Sequence, residues 1–263
     1  MASTDGKASA TAPGQPPALA IDGAVAVITL RRPEVANRLE PEDLDLMREH
    51  IAAINARDEV LVLRIEAQGK HFCSGFHIGK VGGSNAGERF EALANALEAA
   101  RPVTIAVIQG GLYGGATDLA LACDFRLGAQ GVDMFVPAAR LGLLFYRGGL
   151  ERYVARLGLA TAKRVLLAAD RLDAAQMLAC GFLDRVAADA QALQVQAAGL
   201  SEKLAGMAPL ALLGMKRYLN RIAAGTLDPA EIAADIARAD ASADLREGAQ
   251  AWLEKRAPRF RGC

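Results

Sequence analysis

Apolar residues recur along this chain with two periods. In Ala24–Leu30 (AVAVITL), residues 60–67 (VLVLRIEA) and residues 104–110 (TIAVIQG) they form short Val- and Ile-rich runs bounded by Gly or polar residues, which predicts strands. Between the first two runs, Leu44, Met47, Ile51 and Ile54 are spaced by three and four residues behind Pro41, a residue suited to a first helical turn. A second helix, ERFEALANALEAA, stops before Pro102, and VGGSNAG (81–87) ahead of it reads as a mobile connector. Strands alternating with helices predict an α/β domain with mostly parallel strands. From about Leu150 the pattern is nearly all helix (ERYVARLG, TAKRVLLAA, LDAAQMLACG and longer segments to the end), with FLDRVAA (182–188) as one last strand. A composition shift near residue 200 marks the final helices as a separate lobe or packing arm. The expected organisation is a disordered tail over 1–18, a core over 19–200 and a helical region over 201–263.

Composition narrows the class. The 263 residues are 52% hydrophobic and 23% charged, as in an ordinary soluble globular protein. Lys plus Arg and Asp plus Glu number 30 each, so neither nucleic acid nor an anionic membrane surface is expected as the main partner. No apolar run reaches the roughly 20 residues that span a bilayer. The first 18 residues lack the apolar core of a secretion signal, and arginine is absent from them, which weakens a transit-peptide alternative. Cys73, Cys123, Cys180 and Cys263 are scattered without a CxxC pair or a His at ligand spacing. Free thiols in a reducing cytoplasm are expected, with no metal site, and Cys73 reads as a small buried residue before it reads as a reactive one.

Candidate chemistry begins at QGGLYGGATDLALACD (109–124). Four glycines open an apolar helix that carries one carboxylate, Asp118, a turn inside it. Glycines between a strand and a helix expose backbone N–H groups that suit either a phosphate or an oxygen gaining negative charge. The spacing is not GxGxxG, and tight helix–strand packing alone also calls for glycine. A second glycine-bearing loop after a strand, FCSGF (72–76), favours the oxyanion use, because two loops can each aim one N–H at the same oxygen.

Four segments in register then resemble the crotonase (enoyl-CoA hydratase/isomerase) superfamily. GKHFCSGFHI resembles its first oxyanion loop, QGGLYGGATDLALACDFRL its second loop and following helix, FVPAARLGLL its next active-site segment, and ADLREGAQAWLEKRAPRF its C-terminal signature. With the RRPEVAN turn, the likeness covers nearly all of residues 20–262. It implies a β-α superhelix of the ClpP/crotonase type with C-terminal helices that mediate trimerisation, as a homotrimer or a dimer of trimers. It implies backbone donors at Phe76 and Gly115 for a thioester oxygen, with CoA as part of the substrate and no separate cofactor. Residues expected around CoA or the acyl group are Arg38, Phe72, Gly75, His77, Ile78, Lys80, Ala138, Trp252 and Lys255. Trp252 reads equally as a helix-packing aromatic.

The sequence departs from the family where water is activated. Hydratases of this family use two glutamates. The first position holds Asp118, one methylene shorter, and the second holds Ala138, which carries no proton. Misplacement by about 1 Å costs on the order of 10²-fold in rate. Other members place an acid or base four residues after the glycine of LG, which here is Tyr146, beside Arg147. Asp118 has the alternative of a structural acid paired with Arg140 or Arg147, and the segment around Tyr146 that of packing for shape alone. The expected activity is hydration of a 2-enoyl-CoA or a related isomerisation. The rivals are another enolate reaction on this scaffold (thioester hydrolysis, decarboxylation, retro-aldol cleavage or dehalogenation) and a CoA-binding protein without catalysis.

Overall fold

The computed structural model describes residues 13–77 and 85–263. The chain enters through a hairpin, β1 (Gln15–Asp22) antiparallel to β2 (Val25–Arg31) with Leu19 opposite Ile28. It continues through α1 (Pro41–Asn55), β3 (Val62–Ala67), α2 (Ala86–Glu98) and β4 (Val103–Ile108). β5 (Leu112–Tyr113), α3 (Gly115–Ala122), β6 (Phe125–Ala129), β7 (Asp133–Phe135) and α4 (Arg147–Leu166) follow. The remainder is β8 (Leu172–Asp173), α5 (Ala174–Ala179), β9 (Arg185–Ala187), α6 (Ala190–Ala205), α7 (Pro209–Ala223), α8 (Pro229–Asp240) and α9 (Ala243–Glu254).

Six strands form one sheet in the order β1-β2-β3-β4-β6-β9, parallel throughout except for the opening hairpin. β4 lies at its centre and is buried at every position, which is why VTIAVI reads as an unbroken apolar run. A small second sheet, β5-β7-β8, stands beside α3. The apolar faces of α1, α2 and α6 close the core on Leu44, Met47, Ile51, Leu93, Leu97, Leu193 and Ala197. At the start of α1, Glu40 and Asp43 form a reciprocal capping box, and Asp43 also receives two bonds from the buried Arg32, the residue after β2.

The predicted strands and helices fall where the periodicity puts them, with three differences. β1 starts at Gln15, inside the stretch expected to be tail, because QPPALAID supplies the edge partner that β2 would otherwise lack. α6 crosses the expected boundary at 200 and buries Leu193, Ala197, Leu200 and Leu204 against the sheet, and Leu212 and Leu213 of α7 also pack against the core. ERYVARLG and TAKRVLLAA fuse into α4, broken only at Gly158, whose φ of 74° is the left-handed conformation that glycine tolerates. Most of the connector VGGSNAG (81–84) lies outside the described residues.

Candidate active site

Two chain reversals meet at the edge between the sheets. After β3, Cys73 bridges to Leu112 and Phe76 bridges to Leu39, both in parallel. The Gly75 carbonyl accepts from Leu39 N–H (2.8 Å) and His77 N–H donates to the Leu39 carbonyl (3.1 Å). Because alternate peptide groups of extended chain point opposite ways, the Phe76 N–H faces away from Leu39. Gly75 has φ +86°, and a Cβ there would stand 2.7 Å from the Tyr113 carbonyl oxygen and 3.2 Å from the Gly115 nitrogen. Only glycine allows this approach. Across from it, Gly114 at φ 56° turns the chain into α3, and Gly115 N–H opens the helix. Among the described residues, neither the Phe76 nor the Gly115 N–H has an acceptor outside its own element. Two donors at a helix N-terminus can receive an oxygen that gains negative charge.

α3 is buried on nearly every side, so its carboxylate needs partners. Asp118 is fully buried and has three bonds: Arg152 Nε donates to Oδ1 (2.9 Å), Arg152 Nη2 to Oδ2 (2.7 Å), and the Tyr146 hydroxyl to Oδ2 (2.6 Å). The partner is therefore Arg152, which the sequence reading missed, rather than Arg140 or Arg147. Arg140 donates to the Ala169 carbonyl, and Arg147 is exposed beside Glu151. Burial opposes the charge on Arg152, but the Asp118 hydrogen bonds and charge outweigh it and raise its pKa. Burial, and then the Asp118 charge, push the Tyr146 phenol well above its ordinary range, so it stays neutral at pH 7.

Tyr146 belongs to an aromatic wall. Phe145 stacks on it with centroids 4.7 Å apart, Phe90 of α2 lies 6.1 Å away, and Tyr153 meets Phe145 edge-on. Tyr153 also shares a hydroxyl contact with Thr117 on α3. On the opposite side of the first loop, His77 Nδ1 lies 2.9 Å from the buried Glu40 carboxylate, which also receives Arg38 (3.0 and 2.8 Å). Ala138 is buried just ahead of the 3₁₀ turn Ala139–Leu141, with no polar group of its own to offer. Phe72 packs into the hydrophobic core. Trp252 on α9 is 85% exposed, which removes the helix-packing alternative within this chain, and Lys255 forms the left-handed cap of α9. Ile78 and Lys80 lie outside the described residues. Among the described residues no group of three His, Cys, Asp or Glu side chains is placed to hold a metal. Cys73 and Cys123 are buried thiols pushed up to about 12 by that burial, which fits their reading as small core residues.

Glu40, Phe90, Asn95, Glu98 and Arg152 are the site-forming residues that sequence reasoning passed over. The available signal was spacing. Glu91, Asn95 and Glu98 share one face of α2, as Gly148, Arg152 and Arg156 share one face of α4.

The chain matches known proteins over nearly its whole length. Residues 20–263 match the family model described as enoyl-CoA hydratase/isomerase. A protein named as a probable enoyl-CoA hydratase from Mycobacterium leprae is 30% identical over 247 residues, covering 91% of this chain and 96% of that one. The structure of Pseudomonas aeruginosa DspI superposes with a TM-score of 0.86 at 31% identity, covering 97% of this chain and all of the other. That of enoyl-CoA hydratase from Bacillus anthracis does so with 0.85 at 26% identity, over 95% and 100% of the two chains. With the crotonase fold, the paired glycine loops and this match over nearly its whole length, the chain belongs to the enoyl-CoA hydratase/isomerase family of acyl-CoA-processing enzymes.

Proposed function

We propose that this enzyme binds an acyl-CoA thioester and stabilises its enolate between the Phe76 and Gly115 N–H groups. The observation that carries this is the contact of Gly75 with Gly115 and Tyr113, which brings the two loops to one point. The carbonyl oxygen accepts from both N–H groups, and the α3 dipole favours the negative charge that develops there. The relatives' names make a 2-enoyl-CoA the first substrate to test, with hydration as the leading reaction. No metal or redox group is required for this chemistry, since CoA arrives as part of the substrate.

A second reading follows from Asp118. Both of its oxygens are engaged by Arg152 and Tyr146, and Ala138 leaves the other water-activating position without a proton carrier. The geometry therefore supports the enolate step more than water activation. In this reading Tyr146 gives a proton to the enolate carbon: its hydroxyl, which donates to Asp118, turns toward the acyl group, and the tyrosinate left behind stands beside the Asp118 carboxylate with Arg152 supplying the balancing charge. His77 and Arg38, fixed by Glu40, are proposed to line the CoA side of the loop.

The exposed apolar residues of α7 and α9 support assembly as a homotrimer or a dimer of trimers, with Trp252 and Lys255 reaching a neighbour's CoA. No helix among the described residues is long and apolar enough to cross a membrane. The four free thiols support a reducing, cytoplasmic location. Two incubations followed by mass spectrometry test the chemistry. Crotonyl-CoA in ¹⁸O-water gains one labelled water if the enzyme hydrates. Butyryl-CoA in deuterium oxide exchanges its α-hydrogens if the enzyme forms enolates. Exchange without hydration selects the Tyr146 reading, and a folded protein that does neither overturns both.

A further inference from the structure

The acyl side of the proposed oxyanion pair is closed by aromatic rings held from behind. A Cβ at Gly115 would meet three ring atoms of Phe90 at 2.6–3.1 Å, so the ring lies directly against the glycine Cα. Phe90 is 3% exposed, and Tyr146 and Phe145 continue the wall beyond it.

This wall is anchored at both ends. On Tyr146, the hydroxyl is tied to Asp118, itself clamped by Arg152. On Phe90, the next residue begins a polar ladder between α2 and α4. Glu91 Oε1 accepts from Gly148 N–H (2.6 Å), Asn95 Oδ1 from Arg152 Nη1 (2.8 Å), and Glu98 from Arg152 (3.1 Å) and Arg156 (3.2 Å). Arg152 thus belongs to both anchors. A helix tied to α4 at three successive turns is held in place, and the buried Phe90 ring on its neighbouring face is packed among core side chains.

We infer that Phe90 and Tyr146 form a fixed aromatic wall that restricts the acyl group of the thioester to a short chain. The inference rests on the oxyanion reading above, since it takes Phe76 and Gly115 as the place where C1 is held. Because Phe90 lies directly against Gly115, a long acyl chain such as decanoyl would have to displace the ring and, with it, the ladder, whereas a short one such as butyryl would not.

The test compares butyryl-CoA with decanoyl-CoA in two ways: binding by calorimetry, and α-hydrogen exchange in deuterium oxide. Expected are at least tenfold tighter binding and at least hundredfold faster exchange for butyryl-CoA. In Phe90→Ala the exchange ratio falls at least tenfold through a gain on decanoyl-CoA. Equal handling of the two thioesters by the unaltered enzyme overturns the inference while leaving the enolate reading intact. Selective binding of butyryl-CoA without exchange does the reverse. Binding of neither thioester removes both. Should Phe90→Ala fail to fold, Phe90→Leu keeps an apolar core residue while shortening the wall, and an unchanged length ratio in a folded variant also overturns the inference.

Discussion

At the residue scale, the site depends on one glycine and one ion pair. Gly75→Ala adds a methyl group 2.7 Å from the Tyr113 carbonyl at a φ of +86°, so the loop must retreat from Gly115. Losing one such donor costs roughly 10²–10³ in rate, and Gly75→Ala is expected to fall in that range in the exchange assay while remaining folded by circular dichroism. Asp118 is different. Asp118→Ala leaves the Arg152 guanidinium buried without its main partner, which costs about 3–5 kcal/mol, and the melting temperature is expected to drop accordingly. Tyr146→Phe keeps the ion pair and the ring, so it is expected to alter activity with little loss of stability. If Tyr146→Phe exchanges α-hydrogens at the unaltered rate, Tyr146 carries no proton. Both glycine loops and Asp118 were legible from the chain, because glycine before a buried carboxylate is unusual. Arg152 was not. It lies 34 residues from Asp118, and nothing local distinguishes it from Arg140 or Arg147, which are nearer the LG turn.

At the scale of elements, the helices and the strands β2, β3, β4 and β9 declared themselves through periodicity, whereas the inner strand β6 and the strands β1, β5, β7 and β8 did not. β5 and β8 are two residues long and take their shape from neighbours, and β1 is an edge strand containing two prolines, a composition that reads as tail. Contacts between elements were the least visible layer. The α2–α4 ladder is written as polar residues at helical spacing, but a solvated face carries the same pattern. Its value is measurable. Glu91→Ala removes the acceptor of Gly148 N–H in the first turn of α4 and is expected to destabilise by about 1–2 kcal/mol, a fall in melting temperature of several degrees. A second element-level effect depends on pH. Hydrogen bonds from Arg256, then from Arg259 N–H, hold the Glu247 carboxyl at about 2, below its ordinary 4.5. A depressed carboxyl stabilises above its unfolded value and loses that contribution as pH falls through the folded one. The hold of Glu247 on Arg256 and Arg259 is therefore expected to weaken between about pH 4.5 and 2, earlier at high salt because the pair is exposed, while the bonds of Asp244 to Arg261 and Gly262 N–H are separate from it. Trp252, the single tryptophan, lies on α9 with Glu247 and reports the change by fluorescence.

The whole molecule leaves apolar surface that one chain does not cover. On α7, Met215, Leu219 and Ile222 are 57–66% exposed at i, i+4 and i+7, a stripe that an amphipathic helix normally turns inward. On α9, Leu245, Trp252 and Leu253 are also exposed. Between α4 and α7 runs an open groove in which Leu150, Val154 and Leu213 alternate with arginines, behind the polar ladder and away from the Gly75–Gly115 corner. Surfaces of this kind on separate helices suit a closed ring of identical subunits better than a single ligand. Burial of apolar area contributes roughly 25 cal/mol per Å², so the large side chains of one such stripe supply several kcal/mol to an interface. Sedimentation of the intact protein is expected to give a trimer or a hexamer at micromolar concentration. Trp252→Asp combined with Leu253→Asp places two charges on that surface and is expected to shift the distribution toward monomer, with a melting temperature that then depends less on concentration. If the double variant dissociates while α-hydrogen exchange on butyryl-CoA continues undiminished, each subunit holds a complete site and Trp252 has no part in a neighbour's. If exchange falls in step with dissociation, the site is shared between subunits, and the arm formed by α7–α9 serves chemistry as well as assembly.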